Sequence, residues 1–247
     1  MECQGVLEPL ADSFPYFRKH NVNQFGKTWA AACMVTLALV GCGGGGEDVG
    51  TGSNVAGLET SSAALTATLA TLPVETLSVA EQESLAFMRE EEKLAHDVYI
   101  QLDGLWRGYT KVFGNIANSE ASHTESVRQL LVRYNLPDST ATLPAGVFQN
   151  TTLQNLYTQL VAAGSVSLVE GLKVGAAIEE IDMIDLNKAL LETDNQDITL
   201  VYQNLLKGSR NHLRSFVSNL AKQGVTYVPQ YMAEADYLAI VSTPLER

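Results

Sequence analysis

The sequence predicts an all-α fold: a four-helix bundle whose second and third helices are joined by a long crossover carrying a short extra helix. Three observations predict it. Four stretches between Ser78 and Lys222 repeat their apolar residues at the helical period. A Ser78-x-x-Glu81 capping box marks the opening of the first. The connections run short, long, short, with about thirty residues in the long one, as two antiparallel hairpins joined by a crossover require and an up-and-down bundle does not.

The first helix runs from Ser78 through Met88, Ala95 and Tyr99 to about Leu102. The second carries Phe113, Ile116, Val127, Leu130, Leu131 and Tyr134 and stops before Pro137, because the residue before a proline is pushed out of the helical region. A turn-rich stretch then leads to a short amphipathic helix over about Thr152–Ala163, ended by Gly164. The third long helix is expected from Ser165 to about Leu191, and the fourth from about Asp197 to Lys222, closed by Gly224. From Val225 onward, Tyr227, Pro229, Tyr231 and Tyr237 suggest an extended cover with one short helical turn.

The front of the chain reads as an address. Residues 29–40, WAAACMVTLALV, form an apolar run preceded by Arg18, Lys19 and Lys27, the layout of a secretory signal and too short to span a bilayer comfortably. The segment before the run is long for a signal, and Met34 lies too deep within it to serve as a start, which leaves the start codon open. The run ends in Leu39-Val40-Gly41-Cys42, which resembles the bacterial lipobox and implies cleavage before Cys42 and lipidation of its thiol. Residues 1–41 are then a lipoprotein signal, 42–76 a flexible Gly, Ser, Thr and Ala-rich tether, 77–231 the helical bundle and 232–247 a tail. That resemblance implies a lipid-anchored protein of the bacterial cell envelope on the periplasmic side, and Gly43 in place of Asp after the cysteine favours the outer membrane.

Composition narrows the function. The 247 residues are 46% hydrophobic and 7% aromatic, enough for one well-buried domain with appendages. The net charge is −12 and the basic residues do not cluster, so the surface that neutralises phosphates is missing and nucleic acid is excluded as a partner. Cys3, Cys33 and Cys42 all precede the bundle, which removes disulfides, zinc fingers and iron–sulfur sites from the folded body.

The informative residues are polar groups that fall on apolar faces. Glu120 and His123 lie in the middle of the face made by Phe113, Ile116, Val127 and Leu130, where a carboxylate and an imidazole are expensive to bury unless paired. Glu92 lies on the stripe of Leu85, Met88, Ala95 and Tyr99, with Glu90 outside it and Glu91 at its edge. Glu179 lies among Leu172, Met183 and Leu186 with Asp182 beside it, whereas Glu180 shares the polar face of Lys173 and Asn187. His212 and Ser209 share the face of Ile198, Leu205 and Phe216, while Arg210 and Arg214 point outward and His96 falls at the rim. Carboxylates with few imidazoles and no thiolates suit iron or manganese.

On MREEEKLAHDVY, NIANSEASHTESV, VGAAIEEIDMIDL and LLKGSRNHLRSF the chain resembles the ferritin-like superfamily and, more narrowly, a bacterial family known as domain of unknown function 2202, over residues 78 to about 231. It is also similar to rubrerythrin and its relatives, which hold two irons between a Glu, a Glu-x-x-His, a Glu and a second Glu-x-x-His on successive helices. The resemblance implies Glu92, Glu120, His123, Glu179 and His212 as ligands, Asp182 as an extra carboxylate able to swing onto a metal, and Tyr99 as a hydrogen-bond partner of a ligand. The fourth helix departs from the pattern, because Ser209 stands where a Glu is expected.

Two functions follow as expectations. One is a di-iron or mono-iron oxidoreductase reacting with oxygen or peroxide; the other is a metal-binding lipoprotein without turnover. A structural bundle without metal ranks third, since Arg210 or Arg214 would have to reach the carboxylates. A domain on a long leash suits a homodimer better than a 24-subunit cage.

Overall fold

The computed structural model describes residues 62–247. It holds seven helices and, among the described residues, no strand: α1 Ser62–Leu69, α2 Val79–Trp106, α3 Val112–Arg133, α4 Thr151–Gly164, α5 Leu168–Glu192, α6 Gln196–Lys222 and α7 Glu234–Val241. The signal, the lipobox and Cys42 lie outside the described residues. No helix among those described is long and apolar enough to cross a membrane.

Each long helix begins and ends where its caps dictate. Ser78 Oγ accepts from the N–H of Glu81, and Glu81 accepts from the N–H of Ser78, so the predicted capping box forms. Helix α2 continues to Trp106, a turn beyond Leu102. Helix α5 begins at Leu168, because Ser167 rather than Ser165 supplies the capping oxygen. Asn135, at φ 53°, ends α3, and Gly224, at φ 74°, ends α6, both in the left-handed region that lets a chain leave a helix sharply.

Helices α2 and α3 pack along each other through a five-residue connection, residues 107–111, and α5 and α6 do so through residues 193–195. Such short connections force opposite directions. Contacts of α2 with α5 and of α3 with α6 close the four long helices around one interior.

That interior has three layers. Leu85, Met88, Val127, Leu130, Leu186, Ile198, Val201 and Tyr202 make one apolar layer. Tyr99, Leu102, Phe113, Ile116, Leu172, Phe216 and Leu220 make another. Between them, at mid-length on every helix, lie the buried Glu92, Glu120, His123, Glu179, Asp182, Ser209 and His212. Close approach around Tyr99 depends on Gly175, where a Cβ would stand 2.4 Å from the Phe216 ring.

Three expectations are corrected. Residues 62–69, assigned to the tether by composition, form α1, because Leu65 and Leu69 are one turn apart and bury together over α3. Glu90 is buried, since the crossover folds over it and the N–H groups of Gln149 and Asn150 donate to its carboxylate at 2.9 and 3.0 Å. Glu180 is fully buried rather than on a polar face. The tail covers it, with Tyr227 OH at 2.6 Å and the N–H groups of Gln230, Tyr231 and Met232 at 2.9, 2.6 and 2.9 Å.

Candidate metal centre

Four helices contribute to the middle layer, and each places its polar group by periodicity alone. Glu120 and His123 are one turn apart on α3, so both side chains emerge on the inward face. Glu120 is the hub, with Oε2 2.9 Å from His123 Nδ1 and Oε1 2.8 Å from His212 Nδ1. Glu92 Oε2 reaches His123 Nδ1 at 3.3 Å from the α2 side, and Glu179 Oε2 reaches His212 Nδ1 at 3.4 Å from α5. The two imidazoles stack with centroids 5.4 Å apart. Glu120, His123 and His212 each offer a ligand atom within 4.8 Å of the others.

The groups around this core orient it. Tyr99 OH donates to Glu179 Oε1 at 2.5 Å and sits 3.3 Å from the Gly175 carbonyl. Ser209 OH hydrogen-bonds to Asp182 Oδ2, linking α6 to α5 where the resemblance led one to expect a carboxylate. Ser119 Oγ lies 2.9 Å from His212 Nε2, which turns Nδ1 toward Glu120 and Glu179.

Charge is unbalanced at the centre. Burial pushes Glu92 up to about 7 against the pull of His123. Burial also raises Glu179, and together with the charges of Glu92 and Glu179 it raises Asp182 well above the carboxylate range. Glu120 goes the other way: burial opposes its ionisation, but the two imidazoles beside it outweigh burial and hold it well below its ordinary value. His212 is driven up to about 10, the charges of Glu120 and Glu179 overcoming its burial. Glu120 and Glu179 thus converge on His212 from two helices, an arrangement that calls for positive charge between them.

No arginine or lysine of the described chain completes the balance. Among the described residues, the ion pairs of Glu92, Glu120 and Glu179 are with His123 and His212. Arg210 and Arg214 both pair with Glu246 at the tail, in keeping with their outward angles. His96 is half-buried and hydrogen-bonds Asp97, away from the cluster. Glu92 Oε1 and Asp182 Oδ1 are buried without a hydrogen-bond partner, and the site's two imidazoles and four carboxylates fit a hard or borderline divalent cation.

All six residues named from sequence as ligands, with Ser209, are therefore buried in the middle layer, where Glu120, His123 and His212 form the tightest group, and Tyr99 reaches it from the adjoining apolar layer through Glu179. Sequence reasoning missed Ser119, which carries no signal beyond lying one turn before His123. It also missed Asp185, whose spacing of three from Asp182 was a usable signal.

The "Uncharacterized protein domain (DUF2202)" family matches residues 81–244. The chain belongs to the DUF2202 family. This DUF2202 chain is 47% identical over 179 residues to uncharacterized protein MJ0754 of the archaeon Methanocaldococcus jannaschii, covering 72% of this chain and 96% of the relative. That relative is archaeal, so the comparisons do not support the bacterial origin expected from the sequence. The crystal structure of hypothetical protein MJ0754 from Methanococcus jannaschii matches with a TM-score of 0.69 at 47% identity, over 71% of this chain and 99% of that one.

Proposed function

We propose that this protein is a ferritin-like metal protein that holds iron between Glu92, Glu120, His123, Glu179, Asp182 and His212 and reacts with oxygen or peroxide. One observation carries the reading. Four buried carboxylates and two imidazoles share an interior layer without a lysine or arginine among their ion-pair partners in the described chain, so protons or a metal must supply the positive charge. When bound, iron supplies electrons and a coordination position for the oxidant. The chain's residues fix geometry around that position: Tyr99 holds Glu179, Ser119 holds His212 and Ser209 holds Asp182. The apolar layers on either side exclude bulk water.

Ser209 favours a second reading, a transition-metal-binding protein without turnover, because its hydroxyl replaces a carboxylate that a second metal would use. The lipobox-like string adds a cell-envelope location on the periplasmic side to either reading. Manganese is the competing metal, and a homodimer is the assembly a tethered domain suits.

The test is metal content after anaerobic Fe(II) reconstitution of the full chain, beside a Glu120→Ala/His123→Ala variant. The redox reading expects about two irons per chain, lost in the variant and oxidised by peroxide. Stable iron that peroxide leaves ferrous selects the binding reading. No iron in the wild-type chain ends both.

A further inference from the structure

A second set of carboxylates leads from the centre to the surface. On α5, Glu179, Asp182 and Asp185 are spaced by three and follow one another along one side of the helix. Exposure rises along them, from 1% at Glu179 and 6% at Asp182 to half-buried Asp185. Glu91 faces them from α2 and is itself only 7% exposed. Its Oε2 is buried without a hydrogen-bond partner, and the charge of Asp185 acts on it. Asp182 is in the same position, with Oδ2 on Ser209 and Oδ1 without a partner. The charges of Asp185, Asp182 and Glu92 all act on Glu91, so the four acids share one small region between α2 and α5.

Asp185 is also where this region meets solvent. It lines a cavity of about 380 Å³ whose other walls include Glu83, Ser84, Glu90 and the Lys188–Glu192 ion pair, so carboxylates outnumber the one lysine there. A different opening reaches His123 between Ser122, Ser126 and Asn204, but it measures about 10 Å³ and has no carboxylate. That is room for a single water and no more. A divalent cation sheds its water where protein donors replace it, and the cavity at Asp185 offers both more room and carboxylates to do so.

We propose that Asp185 and Glu91 form a transit site that passes a divalent cation from the cavity beside Ser84 to Asp182 and Glu92, and so to the central layer. The inference rests on the metal-binding reading and adds to it the path of loading. The cation exchanges water for Asp185 at the cavity wall, then takes the open oxygens of Glu91 and Asp182 in turn. Being a path rather than a destination, the pair governs how fast the metal arrives and leaves, and not how much is held.

The experiment follows Co²⁺ by its visible absorption, with the full-length protein beside Asp185→Asn and Glu91→Gln variants, each checked for wild-type helicity. Loading is expected to slow about tenfold or more in both variants, the size of effect a lost electrostatic funnel produces. Release to a chelator is expected to slow by the same factor, leaving stoichiometry and equilibrium affinity unchanged. Unchanged loading rates in both variants would overturn the proposal. So would a weakened affinity with faster release, which would make Asp185 and Glu91 ligands of the final site. Wild-type protein that takes up no Co²⁺ would overturn the metal reading, and the transit site with it.

Discussion

Glu179 and Glu180 are neighbours in the chain, both buried, and they have opposite environments. Glu180 accepts from four donors, the Tyr227 hydroxyl and the N–H groups of Gln230, Tyr231 and Met232. It pins the tail to α5 through all four of these hydrogen bonds. Glu179 faces inward among Glu120, Asp182 and His212, with Tyr99 OH as its hydrogen-bond donor. The same contrast separates Glu90, held by the N–H groups of the crossover, from Glu91 and Glu92, each of which buries an oxygen without a donor. A buried carboxylate surrounded by N–H groups builds structure. One that faces other carboxylates costs stability until a cation arrives.

The sharpest way to break this contrast is to remove an anchor. Glu180→Ala should cost about 3 kcal/mol or more in urea unfolding and expose the tail after Gly224 to protease, because four donors lose a charged acceptor. A loss under about 0.5 kcal/mol would mean that the tail is held by its apolar contacts instead.

At the centre the sign should reverse. Metal-free Glu92→Gln should be more stable than wild type at pH 8, by about 1–3 kcal/mol, because Gln mimics the protonated form that burial favours. The pH dependence of the metal-free wild type tests the same point. Glu92, raised to about 7, contributes stability that is complete below its unfolded value and lost as pH rises through 7. His212, raised to about 10, adds stability that is complete below about 6.5 and lost as pH rises toward 10. Glu120 is depressed, so its contribution holds above its unfolded value and is lost in acid. Thermal unfolding should therefore show greatest stability near pH 5 and a decline toward pH 9, and saturating metal should flatten that decline. A metal-free melting temperature that rises steadily from pH 5 to 9 would contradict the charge assignment.

Packing around the centre gives a smaller effect. Gly175→Ala would push its Cβ into the Phe216 ring, which packs on Tyr99 with centroids 5.3 Å apart. It should cost about 1–3 kcal/mol and disturb the Tyr99–Glu179 hydrogen bond, measurable as weaker Co²⁺ binding. Ser78→Ala should cost about 1 kcal/mol through loss of the α2 cap, with metal affinity unchanged.

Much of this was legible in the sequence because helical period alone decides which face a residue occupies. The four long helices, the capping box and the inward placement of Glu92, Glu120, His123, Glu179, Asp182, Ser209 and His212 all follow from counting along the chain. Period misjudged Glu180 and Glu90, composition misjudged residues 62–69, and the reason is common to the three. Each lies on a face that looks outward from its own helix and is covered by something distant in sequence: the tail over Glu180, the crossover over Glu90, and α3 beneath Leu65 and Leu69. A helix's own pattern reports what its residues prefer; only the partner's arrival decides which groups lose water.

The sequence by itself therefore determined the all-helical class, the limits of the four long helices to about a turn, and the residue types that meet in the middle layer. Tertiary structure alone decided that Glu120 bridges both imidazoles, that Ser119 meets His212, that the partner of Tyr99 is Glu179, and that Asp185 lines a surface cavity. Face and burial preference are local and repeat every turn. Which oxygen meets which nitrogen depends on the axial register and spacing of helices that are far apart in the chain, and those are set by packing.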